Sequence, residues 1–220
     1  MKKKVIFITA TDTGVGKTIA TSVLGLLLQQ RGLNVGAMKP VQCAGHDAQF
    51  LKKTLQLKDS LSLINPIYAP EALSPQLALR RSRQKFDLNK IKQSLKQLSS
   101  RYDVILIEGA GGLMVPLKEG YYNINLIRDL KAEVIIVARL GLGTINHTLL
   151  TINQAKNCGL KINGVLFSDI NPGRKSLPEK TNAQEIARLS KVKVIGTIPY
   201  LKSFTQQNIL KTCKHIKLSV

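Results

Sequence analysis

Thr9-Ala10-Thr11-Asp12-Thr13-Gly14-Val15-Gly16-Lys17-Thr18 is the stretch whose reading decides the fold. It follows Val5-Ile6-Phe7-Ile8, a short β-branched run that reads as a strand. It precedes Ile19 to Gln30, where apolar residues recur at helical spacing before Gly32. A glycine-containing turn that leads from a strand into a helix presents backbone N–H groups to an anion. Gly16 lets the backbone approach a phosphate, Lys17 can reach the β- and γ-phosphates, and the Thr18 hydroxyl suits Mg²⁺. The G-x-x-x-x-G-K-[ST] spacing calls for glycine at position 11, where Thr11 stands. Gly-Lys-Thr in this context still predicts nucleotide phosphate binding across Asp12 to Thr18.

Outward from this loop, apolar runs alternate with helical patterns. Val35 to Val41 reads as a second strand. Val104 to Ile107 and Val134 to Val137 are continuous apolar runs, as expected of strands covered on both faces. Gly164 to Phe167 and Val192 to Ile195 are shorter strand candidates. Helical patterns cover roughly Leu88 to Leu98, Ile145 to Cys158 and Asn182 to Leu189. This alternation predicts an α/β chain of three layers, α/β/α, with a mainly parallel central sheet of the P-loop NTPase kind. Residues 1–220 are expected to form one domain. Ligands of such sheets sit beyond the carboxyl ends of the strands. Pro66 to Arg83 is the least regular stretch and reads as a long surface excursion bordering the site.

Composition narrows the function classes. The 220 residues carry 33 Lys+Arg and 13 Asp+Glu, a net charge of +20, with 44% hydrophobic residues. That is a globular balance rather than a disordered one. The basic residues are spread along the chain, aromatics are 5%, and no dense basic block is interleaved with stacking residues. A lysine-rich surface that attracts anionic substrates is therefore expected, not a nucleic-acid binder. Cys43, Cys158 and Cys213 form no CxxC pair, which points to a reducing cytoplasm and away from a disulfide scaffold or structural zinc. The apolar run after the amino-terminal lysines, Val5 to Ala10, is shorter than the ~7–15 residues of a signal-peptide core. No apolar run approaches the ~18 residues of a membrane span, and Arg139 interrupts the stretch from Val134 to Leu142.

Three further signals carry chemistry. Glu108 ends a buried strand and is followed by Gly109-Ala110-Gly111-Gly112, where P-loop enzymes place a Mg²⁺-associated carboxylate beside glycines that allow close backbone approach. Lys39, at the end of the second strand, would aim its ammonium into the same crevice as Lys17. Two cations with Mg²⁺ suit a phosphoryl group in transfer. Asp47 follows in a short loop and is one of only 13 acids. The three histidines form no ligand pair by spacing, and His147 reads as a helix residue near the rim of the site.

Together these residues resemble the dethiobiotin synthetase family. The resemblance spans Thr11 to Thr18, Lys39-Pro40, Glu108 to Gly112, Gly143-Thr144-Ile145-Asn146-His147 and Gly196-Thr197-Ile198-Pro199-Tyr200. It implies an ATP- and Mg²⁺-dependent ligase that acts on 7,8-diaminopelargonic acid and CO2. One amine forms a carbamate, the carbamate takes the γ-phosphoryl group, and the second amine closes the ureido ring and expels phosphate. The resemblance implies catalytic roles for Lys17, Lys39 and Thr13, and metal contacts from Thr18, Asp47 and Glu108. It implies nucleotide contacts at Ser168, Asp169, Pro199 and Tyr200 besides the phosphate loop. Substrate contacts fall on Thr13, Lys39, Cys43, Gly111, Gly143, Thr144 and Asn146. It also implies a cytoplasmic homodimer with substrate at the interface, where the helix start at Gly143 receives the substrate carboxylate.

The chain departs from that pattern at three places. The family usually has Gly where Ala10 stands, often Ser where Cys43 stands, and Asn-Asp where Ser168-Asp169 ends the fifth strand. A thiol is a weaker donor than a hydroxyl, and Ser has fewer hydrogen-bonding groups than an amide. Weaker substrate binding and a relaxed preference for ATP are the expectations. The alternative is a partition-type P-loop ATPase that binds DNA or a protein partner. That group carries an additional lysine early in the loop, and Thr9 to Val15 contains none.

Overall fold

The computed structural model describes residues 3–218. The chain runs β1 (Lys4–Ala10), α1 (Lys17–Gln30), β2 (Val35–Met38), β3 (Val41–Cys43), α2 (Asp47–Thr54), α3 (Leu61–Ile64), β4 (Ile67–Ala69), α4 (Pro75–Arg81) and α5 (Leu88–Arg101). It continues with β5 (Val104–Glu108), β6 (Pro116–Lys118), β7 (Tyr121–Tyr122), α6 (Asn123–Asp129), β8 (Glu133–Arg139) and α7 (Thr144–Asn157). β9 (Ile162–Ser168), α8 (Leu177–Ser190), β10 (Val194–Ile198) and α9 (Gln206–Thr212) complete it.

Six strands form the central sheet in the order β10-β9-β8-β1-β5-β2, and every pair is parallel. Alternate side chains leave a strand on opposite faces. In β1, Ile6 and Ile8 join one apolar cluster and Phe7 the other. In β8, Ile135 and Val137 face the first cluster, while Val134 and Ile136 face the second. One layer is built on α1, α2 and α9, the other on α5, α6 and α7. Cover on both faces explains why β5 and β8 read as unbroken apolar runs.

The expected second strand, Val35 to Val41, is two strands in different sheets. Pro40 has no N–H to give to a ladder, and it restricts the residue before it. β2 therefore ends at Met38, and β3 pairs with β4 in a separate two-stranded sheet. The break lifts Lys39 out of the sheet. Its backbone is fixed there from both sides: the N–H donates to the Ile64 carbonyl at 2.7 Å, and Asn65 Nδ2 donates to its carbonyl at 2.7 Å. Pro66 to Arg83 is more regular than expected, since it contains β4 and α4. α8 begins at Leu177 rather than Asn182, behind a capping box between Ser176 and Glu179. The last strand is shifted, from Val192–Ile195 to Val194–Ile198.

Candidate active site at the carboxyl edge of the sheet

The carboxyl ends of β1, β2 and β5 converge on a cavity of about 1000 Å³. β1 delivers the phosphate loop, β2 delivers Lys39 and β5 delivers Glu108. Gly16 caps α1 with φ +93°, a left-handed conformation that glycine adopts without strain. No side chain caps this helix, and no acid stands in its first turn. The partial positive charge of its amino terminus is therefore left for an anion. Ala10 ends β1 without a positive φ, so the strand-to-loop turn does not require glycine there.

Two buried lysines face this end with opposite electrostatics. Lys39 Nζ contacts Glu108 Oε1 at 2.6 Å, Asp47 Oδ2 at 2.8 Å and the Gly109 carbonyl at 3.3 Å. Burial works against its charge, but the Glu108 and Asp47 carboxylates outweigh burial and hold its pKa above the ordinary 10.5. Among the described residues, Lys17 Nζ donates only to the Asp12 carbonyl, at 3.4 Å. Burial, and next the Lys39 ammonium, push its pKa below the ordinary value. Lys39 thus spends its three N–H groups on these partners and meets an incoming oxyanion by exchanging one of them, whereas Lys17 keeps donors for an oxyanion at once.

Glu108 also accepts a hydrogen bond from Thr18 Oγ1 at 2.9 Å. Its second oxygen, Oε2, is buried and has no hydrogen-bond partner among the described residues. A buried carboxylate oxygen without a partner is unfavourable unless a cation meets it. Thr18, Glu108 and the part-exposed Asp47 offer only oxygen ligands. No group of three or more His, Cys, Asp or Glu side chains is gathered among the described residues. Two carboxylates and a hydroxyl, completed by phosphates and water, are what Mg²⁺ takes, and they do not suit zinc. The residues present fit Mg²⁺.

The structure brings Thr13, Gly14, Gly16, Lys17, Thr18, Lys39, Cys43, Asp47, Glu108 and Gly111 to the lining of one cavity. Asp12 and Val15 are not among the lining residues: the Asp12 carboxylate is exposed and accepts the Thr13 N–H at 2.7 Å, and Val15 is buried. Cys43 is half-buried, and burial raises its thiol pKa in spite of Lys39. Other expected residues stand outside the cavity lining. Ser168 lies beneath the phosphate loop, its Oγ 2.6 Å from where a Cβ on Gly16 would sit. Asp169 pairs with Lys175 at 2.6 Å. Pro199 and Tyr200 follow β10, and Gly143, Thr144 and Asn146 start α7. His147 is on the exposed side of α7.

An apolar wall was not legible in the sequence. Phe50, Leu73, Pro75, Val115 and Phe204 line the same cavity as the charged groups. They come from α2, α4 and loops far apart in the chain. Pro66 to Arg83 does border the site, through Ala72 to Pro75.

Comparisons with known proteins bear on the fold and the family. A family model described as an AAA domain matches residues 4–208. Among solved structures, the cell-division ATPase MinD of Pyrococcus furiosus is similar with a TM-score of 0.60 at 17% identity, covering 96% of this chain and 97% of that one. MinD of Pyrococcus horikoshii complexed with Mg-ADP gives 0.59 at 18% identity, covering 96% and 86%. At such identities the likeness is one of fold. Sequence relatives are much closer. The ATP-dependent dethiobiotin synthetase BioD of Thermodesulfovibrio yellowstonii is 39% identical, over 94% of this chain and 92% of the relative. That of Methanocaldococcus jannaschii is 38% identical over 90% and 95%. That of Bacillus velezensis is 34% identical over 97% and 94%. Identity of this extent over nearly the whole of both chains means that the chain belongs to the dethiobiotin synthetase family.

Proposed function

We propose that the chain is an ATP-dependent ligase that converts 7,8-diaminopelargonic acid and CO2 into dethiobiotin, ADP and phosphate. The observation that carries this is the pair of buried lysines at one phosphate loop, with Lys39 clamped between Glu108 and Asp47. One amine of the diamine adds to CO2 and loses a proton, giving a carbamate. A carbamate oxygen attacks the γ-phosphorus, and the bond to the β,γ-bridging oxygen breaks, leaving ADP. The second amine then attacks the carbonyl carbon. Its N–C bond forms, the C–O bond to phosphate breaks with its electrons going to phosphate, and the amine proton is lost.

Each step concentrates negative charge, so positioning and fixed cations provide the catalysis. Lys17, with free donors, bridges the phosphates and the carbamate. Lys39 meets the carbamate and the mixed anhydride, and Thr13 hydrogen-bonds near the reacting amines. Thr18, Asp47 and Glu108 would hold Mg²⁺, which neutralises charge on the phosphate oxygens. Without such a cation, the two carboxylates would oppose a polyphosphate. Cys43 and Gly111 line the substrate side. The homodimer belongs to this reading, with Gly143, Thr144 and Asn146 receiving the carboxylate tail of a substrate held by the neighbouring subunit. Exposed Leu142 and Leu150 flank that helix start and supply apolar surface for such an interface. The cytoplasm is the compartment proposed, in keeping with unpaired Cys43, Cys158 and Cys213.

Carbon-13 bicarbonate tests the reaction directly. With Mg-ATP and the diamine, the label is expected in the ureido carbonyl of dethiobiotin, one carbon per product. Unlabelled product, or none, rejects the reading. The partition-type alternative shares the fold at 16–18% identity, against 34–39% for the ligases.

A second expected outcome concerns the nucleobase, proposed to lie near Ser168, Asp169, Pro199 and Tyr200. Ser168 is buried under Gly16 and offers a hydroxyl, not an amide. Rates with ATP, CTP and GTP at saturation are therefore expected to fall within about tenfold of one another, less than one well-placed hydrogen-bond pair would discriminate. A strong preference for ATP contradicts this.

A further inference from the structure

We infer that Asn123 is a positioning residue for this reaction, acting through the backbone of Ala110 to Gly112; the inference rests on the ligase reading above. Asn123 opens α6 and is 1% exposed. Its Nδ2 donates to the Ala110 carbonyl and to the Gly112 carbonyl, each at 2.7 Å. An amide nitrogen has two N–H groups, and both are used. Its Oδ1 is buried without a partner among the described residues. A buried acceptor left unpaired is unfavourable, so the side chain is not an optimum for stability alone. What the amide provides is a two-point grip on one short loop.

That loop is the one that joins Glu108 to the cavity. The Gly109 N–H is fixed to the Ile8 carbonyl at 3.0 Å, and its carbonyl accepts from Lys39 Nζ at 3.3 Å. On the far side the loop is packed against the phosphate loop. A Cβ on Gly112 would stand 3.1 Å from the Ala10 carbonyl, and one on Gly111 would stand 3.5 Å from Thr13 Oγ1. Ala110 to Gly112 is thus held between Asn123 and the loop that carries Thr13.

The grip also sets a donor. A trans peptide carries its C=O and the next N–H on opposite sides, and the described chain has no cis bond. Drawing the Ala110 carbonyl to Asn123 turns the Gly111 N–H away from it. Ala110 and Gly111 line the cavity, and the Gly111 N–H has no acceptor among the described residues. A fixed N–H there can meet the oxygen that gains charge as the second amine attacks the carbonyl.

Steady-state kinetics of the full chain with Mg-ATP, diamine and bicarbonate tests this, with ATP affinity measured by calorimetry. Asn123→Ala is expected to lower kcat about 10²-fold, the cost of losing geometry by about an ångström, with the Kd for ATP unchanged. Asn123→Ser keeps one donor and is expected to fall between, which serves if the alanine variant does not fold. Asn125→Ala is the control. It removes another hydrogen bond at the same helix start, from the Tyr122 N–H at 2.8 Å, without touching the loop. It is expected to lower thermal stability and leave kcat as in the wild type. Wild-type kcat in both Asn123 variants, or an equal kcat loss in Asn125→Ala, overturns the positioning role alone. Absence of dethiobiotin from the wild type overturns it together with the ligase reading.

Discussion

Lys39→Ala is expected to lower dethiobiotin formation by about 10³-fold or more, the scale reported for loss of a fixed charge at a transition state. Lys39 is 4% exposed and touches two carboxylates, so the substitution also strips Glu108 of its cation. Breaking a buried ion pair in this way costs about 3–5 kcal/mol. Stability and chemistry must therefore be separated. Lys39→Met with Glu108→Gln removes both charges and is expected to regain stability without regaining turnover. A single Lys39→Ala chain that keeps more than about a tenth of kcat places Lys39 outside the chemistry. The pH dependence follows from the direction of the shift. A lysine whose folded pKa lies above its unfolded 10.5 contributes its full stabilisation below that value. It loses that contribution only as pH rises through the raised pKa. Lys39 is thus expected to add nothing to the slope of stability between pH 6 and 9, read from thermal denaturation against pH, and a Lys39-dependent loss in that range contradicts the assignment.

Gly16→Ala is the second large effect. At φ +93° an added Cβ costs about 1–3 kcal/mol. The free loop can escape by leaving this conformation, whereas the nucleotide-bound loop cannot. ATP affinity then falls by about 10- to 10²-fold, at 1.4 kcal/mol per tenfold. The new Cβ also meets Ser168 Oγ at 2.6 Å. Gly16→Ala with Ser168→Ala removes that hydroxyl and leaves the backbone strain, so calorimetry on the double variant is expected to stay weak. Full recovery of affinity in the double variant assigns the effect to the clash instead.

The phosphate loop and the parallel sheet were legible because their signals are local: a glycine-lysine-threonine turn, and apolar runs wetted on neither face. Lys39 was legible as a residue but not in its setting. The apolar pattern runs straight through Pro40, and the missing N–H of that proline is what sets Lys39 free of the sheet. Thr18, Asp47 and Glu108 each stand out in their local context, yet the Thr18–Glu108 contact joins positions 90 residues apart, which no local period encodes. Asn123 left no signal at all beyond a polar residue ahead of an apolar run. Its partners are carbonyl groups, and backbone carbonyls are the same in every sequence. The apolar wall failed for a related reason, since Phe50, Leu73 and Phe204 meet only in the folded chain.

Phosphate release from Mg-ATP, measured with and without diaminopelargonic acid and bicarbonate, tests the central claim most directly. Release that requires both, with one dethiobiotin formed per phosphate, is the predicted result. ATP turnover that ignores the diamine, or that starts only when DNA is added, contradicts it and leaves a nucleotide-binding loop with a different task.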